Sequence, residues 1–192
     1  MPYDPNRHHR RSTRLHGYDY AAPGAYFVTL CTHERACLFG EIIDGQMHPN
    51  AWGQIVEEEW LRSEEIRAEI ILDAYVVMPN HLHGIVLMVP LDADPSVDPC
   101  DPCGYRLDPT VGPHGRAALH RPPKSLGAFI AGFKSAATTR INALRGTPGG
   151  KVWQYKFYDR ILRDERAWRA CRRYIEQNPA RWNEDKNHPD RL

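Results

Sequence analysis

His81 and His83 stand one residue apart in a stretch that is otherwise apolar, YVVMPNHLHGIVLMV over residues 75–89. On an extended chain the side chains alternate, so the two imidazoles share one face and Leu82 takes the other. Two adjacent imidazoles can hold one divalent ion. Imidazole suits Zn, Mn, Ni or Cu, and a two-histidine site leaves positions open for oxygen ligands and substrate. The competing account is a pair of buried histidines with ordinary hydrogen bonds, because a polar group in a core needs partners whatever its role. The H-x-H spacing also occurs on many unrelated folds.

A second group lies near the end of the chain, in RRYIEQNP. Tyr174 and Asn178 are four apart, which puts them on one helical face. A phenol there is a candidate nucleophile. An amide oxygen can ligate an ion without adding charge that would compete with a phosphate. Ala167, Ala170, Cys171 and Tyr174 also follow helical spacing, and that stripe would equally pack on a sheet with Tyr174 as a core aromatic.

The elements that must position these residues can be read from period and punctuation. Residues 25–32, AYFVTLCT, are β-branched and aromatic and predict a strand. A turn with a short strand pair is expected around Asp44-Gly45. Residues 50–66 place Trp52, Ile55, Val56 and Trp60 on a repeating face, so they predict an amphipathic helix capped by Asn50. Residues 71–78 and 82–89 predict two strands joined at Pro79-Asn80, apolar enough to be central and covered on both faces. A helix is expected over 125–145, with Ser125 as cap and Leu126, Phe129, Ile130 and Phe133 inward. A strand is expected over 152–163 and a last helix over 164–179, stopped at Pro179. The order β-α-β-β-α-β-α predicts an α+β fold of the ferredoxin-like, split-βαβ kind: an antiparallel sheet with helices on one face.

The chain has 192 residues, 42% of them hydrophobic, and fits one domain. The formal net charge is +1, yet the arginines cluster. Residues 7–16 hold four Arg and three His with no acid, and residues 160–173 hold six Arg against Asp164 and Glu165. Such clusters are either solvated surface or a local anion-binding face. The organisation expected is a basic arm at 1–24, one domain at 25–183 and a tail at 184–192. A long Pro/Asp-rich loop interrupts the domain at 90–123. In that loop Cys100, Cys103, His114 and His120 imitate a zinc-finger pattern, but the spacing is shorter than the usual ~12 residues and no helical pattern surrounds it. Five cysteines are an odd number, the N-terminus lacks an apolar leader, and no run reaches the ~18 apolar residues of a membrane span. These features predict a cytoplasmic protein of a reducing compartment with no membrane partner.

Taken together, VVMPNHLHGIV, FKSAATTRIN, VWQYKFYDRILRDE, YIEQNPARW and the earlier RLHGYDYAAPGAYFVTLCTHER resemble the REP-associated tyrosine transposases. These belong to the single-tyrosine HUH transposases, named for histidine–hydrophobe–histidine. The resemblance spans residues 10–183 apart from the long loop. It implies that His81 and His83 are metal ligands, that Asn178 is the third, with Gln177 standing in only if the helix end is distorted, and that Tyr174 is the nucleophile. The implied cofactor is a divalent ion, Mg or Mn. The implied substrate is single-stranded DNA beside palindromic hairpins, cut and rejoined through a 5′-phosphotyrosine by a nucleoid-associated monomer or homodimer. Candidate DNA contacts are Arg7, Arg10, Arg11 and Arg14 in the arm, Lys134, Arg160 and Arg163, with Trp153, Tyr155 and Tyr158 as stacking candidates. Two alternatives stay open: a domesticated hairpin-binding protein without chemistry, and a metallohydrolase using the histidines to activate water.

Overall fold

The computed structural model describes residues 19–20, 22–90 and 124–191. Arg7, Arg10, Arg11 and Arg14 lie outside the described residues, as do 91–123 with Cys100, Cys103, His114 and His120. The site rests on a four-stranded antiparallel sheet. Its strands are β1 (Gly24–Cys31), β4 (Ile70–Met78), β5 (His81–Met88) and β6 (Tyr158–Leu162), in the order β4-β5-β1-β6. A small hairpin of β2 (Gly40–Ile43) and β3 (Gln46–Pro49) stands apart. Its turn has Asp44 and Gly45 at φ 51° and 75°, the paired positive φ values of a tight two-residue hairpin.

Two helices are capped as their sequences predict. In α1 (Ala51–Ile66) the Asn50 side chain accepts from the amides of Trp52 and Gly53, and in α2 (Leu126–Arg145) Ser125 accepts from Ala128. Both pack on one sheet face. Tyr26, Val28, Leu30, Leu82 and Val86 meet Trp60, Phe129, Ile130 and Phe133 there in the main core. Every residue of β5 is buried, as expected for a central strand covered twice.

The second cover is α3 (Glu165–Gln177), capped by Asp164 through the Ala167 amide at 2.7 Å. It lies on the face opposite α1 and α2, so the ferredoxin-like sheet carries helices on both sides rather than one. The residues dictate this. Trp168, Cys171 and Ile175 pack on Phe27, Ile85 and Leu87, which alternate with the residues facing the main core. Arg172 pairs with Asp73 of β4 at 3.1 Å and ties the helix to the sheet.

The strand expected over 152–163 is shorter, Tyr158–Leu162. Ahead of it Trp153 makes one isolated bridge to Thr32. The carbonyls of Gln154 and Lys156 accept from the Lys134 ammonium at 2.8 and 3.2 Å instead of joining a ladder.

Gly84 shows how closely α1 approaches the strand that carries the histidines. A Cβ there would stand 2.5 Å from Cζ2 of the fully buried Trp60. Gly84→Ala is therefore expected to destabilise the protein by about 1–3 kcal/mol, the usual cost of overpacking. Chemical denaturation of the two proteins checks this, and an unchanged midpoint would show that the indole can yield.

Candidate active site

His81 and His83 project together on the α3 side of the sheet, with ring centroids 4.5 Å apart and no exposure to solvent. The hydrogen bonds around His81 determine its tautomer. Asn80 donates its amide nitrogen to the carbonyls of Arg35 and Asn187, which leaves its oxygen facing His81 Nδ1 at 2.8 Å. That oxygen can only accept, so Nδ1 carries the proton and Nε2 a bare lone pair. Nε2 is buried and has no hydrogen-bond partner. His83 is oriented in the same way. Its Nδ1 lies 2.8 Å from Thr29 Oγ1, the carbonyl of Val28 stands alongside, and Nε2 points toward the α3 side.

Tyr174 and Asn178 come from α3, one turn apart. The Tyr174 hydroxyl lies 3.2 Å from His83 Nε2 and 3.2 Å from Asp185 Oδ2. The Tyr174 ring packs edge-on against Phe27, yet the residue is 39% exposed and borders a cavity. Asn178 keeps right-handed helical backbone angles and is buried, so the helix end is not distorted, while Gln177 is exposed where it borders the cavity beside Tyr174. Asn178 donates its amide to Asp185 Oδ2 at 2.9 Å, which leaves its own Oδ1 buried without a partner. Reversing the amide would set oxygen against carboxylate, so Asp185 fixes the orientation.

Two orphaned acceptors thus converge on one point. A protonated His81 would donate to the Asn178 oxygen, but the Asn80 contact holds the proton on the far nitrogen. Buried lone pairs facing one another with no proton between them are stabilised by a cation. The ligand atoms of His81, His83 and Asp185 also lie within 4.8 Å of one another, all three residues being buried. The donor set of imidazole, amide and carboxylate fits a divalent ion. Asp185 Oδ2 already accepts from two groups and Asn178 Oδ1 from none.

No protein-family profile matches the chain. A protein of Haemophilus influenzae, itself uncharacterised, is 32% identical over 188 residues, which is 98% of this chain and 98% of that one. The two proteins belong to one family. Among solved structures, a REP-associated tyrosine transposase bound to a REP hairpin aligns with a TM-score of 0.50 at 17% identity, over 90% of this chain and 74% of that one. The chain has the fold of a REP-associated tyrosine transposase.

On this fold α3, which carries Tyr174 and leads into Asn178, packs against β4 and β5. Arg160 and Arg163 are exposed beside it, and Arg160 borders the same cavity as Tyr174. Lys134 is held by two carbonyls and braces residues 154–156. Trp153 is 8% exposed and packs against Phe39 and Phe133 in the core, whereas Tyr155 and Tyr158 are exposed. Among the described residues no helix is long and apolar enough to cross a membrane.

Three contributors escaped the sequence reading. Asn80 stood inside the quoted motif, and its position directly before His81 was the available signal. Thr29 is one of many strand residues. Asp185 lies in a short polar segment assigned to the tail, with no periodicity to mark it.

Burial pushes the His81 pKa down to about 4, against the opposing pull of Asp185, and burial also holds His83 well below the ordinary imidazole range. Burial raises Asp185, but hydrogen bonds from Asn187 and Asn178 and the field of His81 outweigh it and leave it below the carboxylate range. Burial, then Asp185, raises Tyr174 well above the usual phenol range. Between pH 6.5, the unperturbed imidazole value, and about 4, the unfolded chain therefore binds more protons than the folded one. The metal-free protein is expected to lose stability as pH falls through that window, by on the order of 3 kcal/mol from His81. Calorimetry across pH 7 to 4 reads this directly, and a melting temperature flat over the window would refute the burial of neutral imidazoles.

Proposed function

We propose that this protein is a divalent-metal-dependent transposase of the single-tyrosine HUH kind, which cuts and rejoins single-stranded DNA beside hairpin repeats. The observation that carries the reading is the convergence of His81 Nε2 and Asn178 Oδ1, both buried without partners, beside a tyrosine hydroxyl that touches His83. The structure solved with a REP hairpin supports the substrate class.

The proposed ligands are His81, His83 and Asn178, and the proposed ion is Mg²⁺ or Mn²⁺. An ion held there would polarise an oxygen of the scissile phosphate. The residues do the rest. Tyr174 Oη forms a bond to phosphorus while the bond from phosphorus to the 3′-oxygen breaks, giving a 5′-phosphotyrosine and a free 3′-hydroxyl. As the bond to phosphorus forms, the phenolic proton moves to Asp185 Oδ2, 3.2 Å away, and is passed on to the departing 3′-oxygen. The relay returns Asp185 to its ionised form, which the hydrogen bonds from Asn187 and Asn178 favour. The phosphotyrosine keeps the energy of the phosphodiester, so attack by another 3′-hydroxyl rejoins strands without a nucleotide cofactor.

The test is a denaturing gel of the full chain incubated with Mn²⁺ and labelled hairpin DNA from the palindromes flanking its gene. Label carried with the protein supports the reading. Tight hairpin binding with neither adduct nor cleavage would replace it with a binding protein. Cleavage without an adduct would point to a hydrolase.

A further inference from the structure

A second cavity, of about 320 Å³, adjoins the tyrosine site, and the mechanism makes no use of it. Tyr158 and Lys186 form the partition, since both line this cavity and also the larger one that holds Tyr174, Asn178 and Asp185. Its inner wall is built from the residues that set up the site. Thr29 contacts His83, and the Asn187 amide donates to Asp185. Three cationic side chains border the cavity, Arg35, Lys156 and Lys186, and no acidic side chain does.

The volume is at the low end of the ~300–1,000 Å³ range of small-molecule pockets, which suits one nucleotide and excludes a paired stem. Tyr158 is 42% exposed, a large share for an aromatic on a strand whose neighbours Asp159 and Leu162 are buried. The Lys186 ammonium stands 5.2 Å from its ring centroid. The ammonium lies over the ring face, and a base that takes its place there leaves the lysine beside the adjoining phosphate, so an exposed aromatic ring with this cation suits a stacked nucleotide.

We infer that this cavity receives one unpaired nucleotide of the substrate strand, its base on Tyr158 and its phosphate between Lys156, Lys186 and Arg35. Because the partition is shared, a strand lying across Tyr174 passes over Tyr158 into the cavity. The pocket thus sets the strand's path and holds a nucleotide near the scissile phosphate. The inference rests on the reading of the protein as a single-stranded-DNA transposase, and its test separates the two.

Hairpin oligonucleotides carrying 2-aminopurine at each unpaired position in turn are titrated with the full-length protein. In wild type, fluorescence is expected to be quenched several-fold at one position. In Tyr158→Ala that quenching is lost and hairpin affinity falls about 5- to 150-fold, the range for removal of one stacking platform. Tyr158→Phe keeps the ring and is expected to keep the quenching. Lys156→Ala, which alters only an exposed side chain, is expected to leave the quenching in place and to reduce the salt dependence of binding by about one phosphate contact. Quenching at no unpaired position, or quenching unchanged in Tyr158→Ala, overturns the inference. An adduct formed normally alongside either of those results would leave the transposase reading intact and remove only the pocket. Quenching that depends on Tyr158 without any adduct would keep the pocket and remove the transposase.

Discussion

Replacing Tyr174 with phenylalanine is expected to abolish the covalent protein–DNA adduct, with at least about a 10³-fold loss of cleavage, while hairpin affinity stays within a few-fold of wild type. The loss is large because a nucleophile that forms a covalent intermediate has no substitute nearby. The hydroxyl is the only atom removed, and its neighbours, His83 Nε2 and Asp185 Oδ2, are poised to accept rather than to attack. The ring keeps its edge contact with Phe27 and its place against His83, so folding has little reason to change. The gel described above reads the chemistry, and a filter-binding or anisotropy titration reads the affinity. Cleavage by Tyr174→Phe at the wild-type rate would show that water, or another group, is the nucleophile, and would move the site into the hydrolase class.

His81→Ala is expected to weaken Mn²⁺ binding by more than about 100-fold, since loss of an outer-sphere partner alone costs 10–100-fold and His81 is a direct ligand in this reading. Direct titration by calorimetry or by the electron paramagnetic resonance of free Mn²⁺ measures this independently of DNA. His81 is suited to the role because its only free nitrogen is deprotonated, buried and unpartnered. The same substitution removes one of the two groups that make the metal-free fold sensitive to acid, so the melting temperature of the variant should depend less steeply on pH below 6.5, the unperturbed imidazole value. Affinity for Mn²⁺ equal to that of wild type would place the ion elsewhere. A stability profile as steep as that of wild type would assign the acid sensitivity to His83 alone.

Much of this protein was legible in the order of its residues because the relevant signals are local. The caps at Asn50, Ser125 and Asp164 depend on side chains two or three residues from the amides they satisfy. The alternation that sends His81 and His83 to one face and Leu82 to the other is a property of any strand. The i, i+4 relation of Tyr174 and Asn178 is a property of any helix. From these, the antiparallel sheet, the pair of histidines and the tyrosine with its amide could be named without coordinates.

Only the tertiary structure decided what these groups face. Helix α3 crosses to the side of the sheet opposite α1 and α2 because Phe27, Ile85 and Leu87 leave that face apolar, and this is what brings Tyr174 to His83. Asp185 is more than 100 residues from His81 in the chain, and no period or spacing ties it to the site. It arrives because the segment after α3 turns back under Asn80, whose amide holds the Asn187 carbonyl at 2.8 Å. The tautomer of His81 and the orientation of Asn178 are likewise set by such contacts, since a histidine or an amide has two chemically distinct ends and sequence does not say which way each will point. Residue types and local spacing determined which chemistry was available, while long-range hydrogen bonds decided where the lone pairs converge.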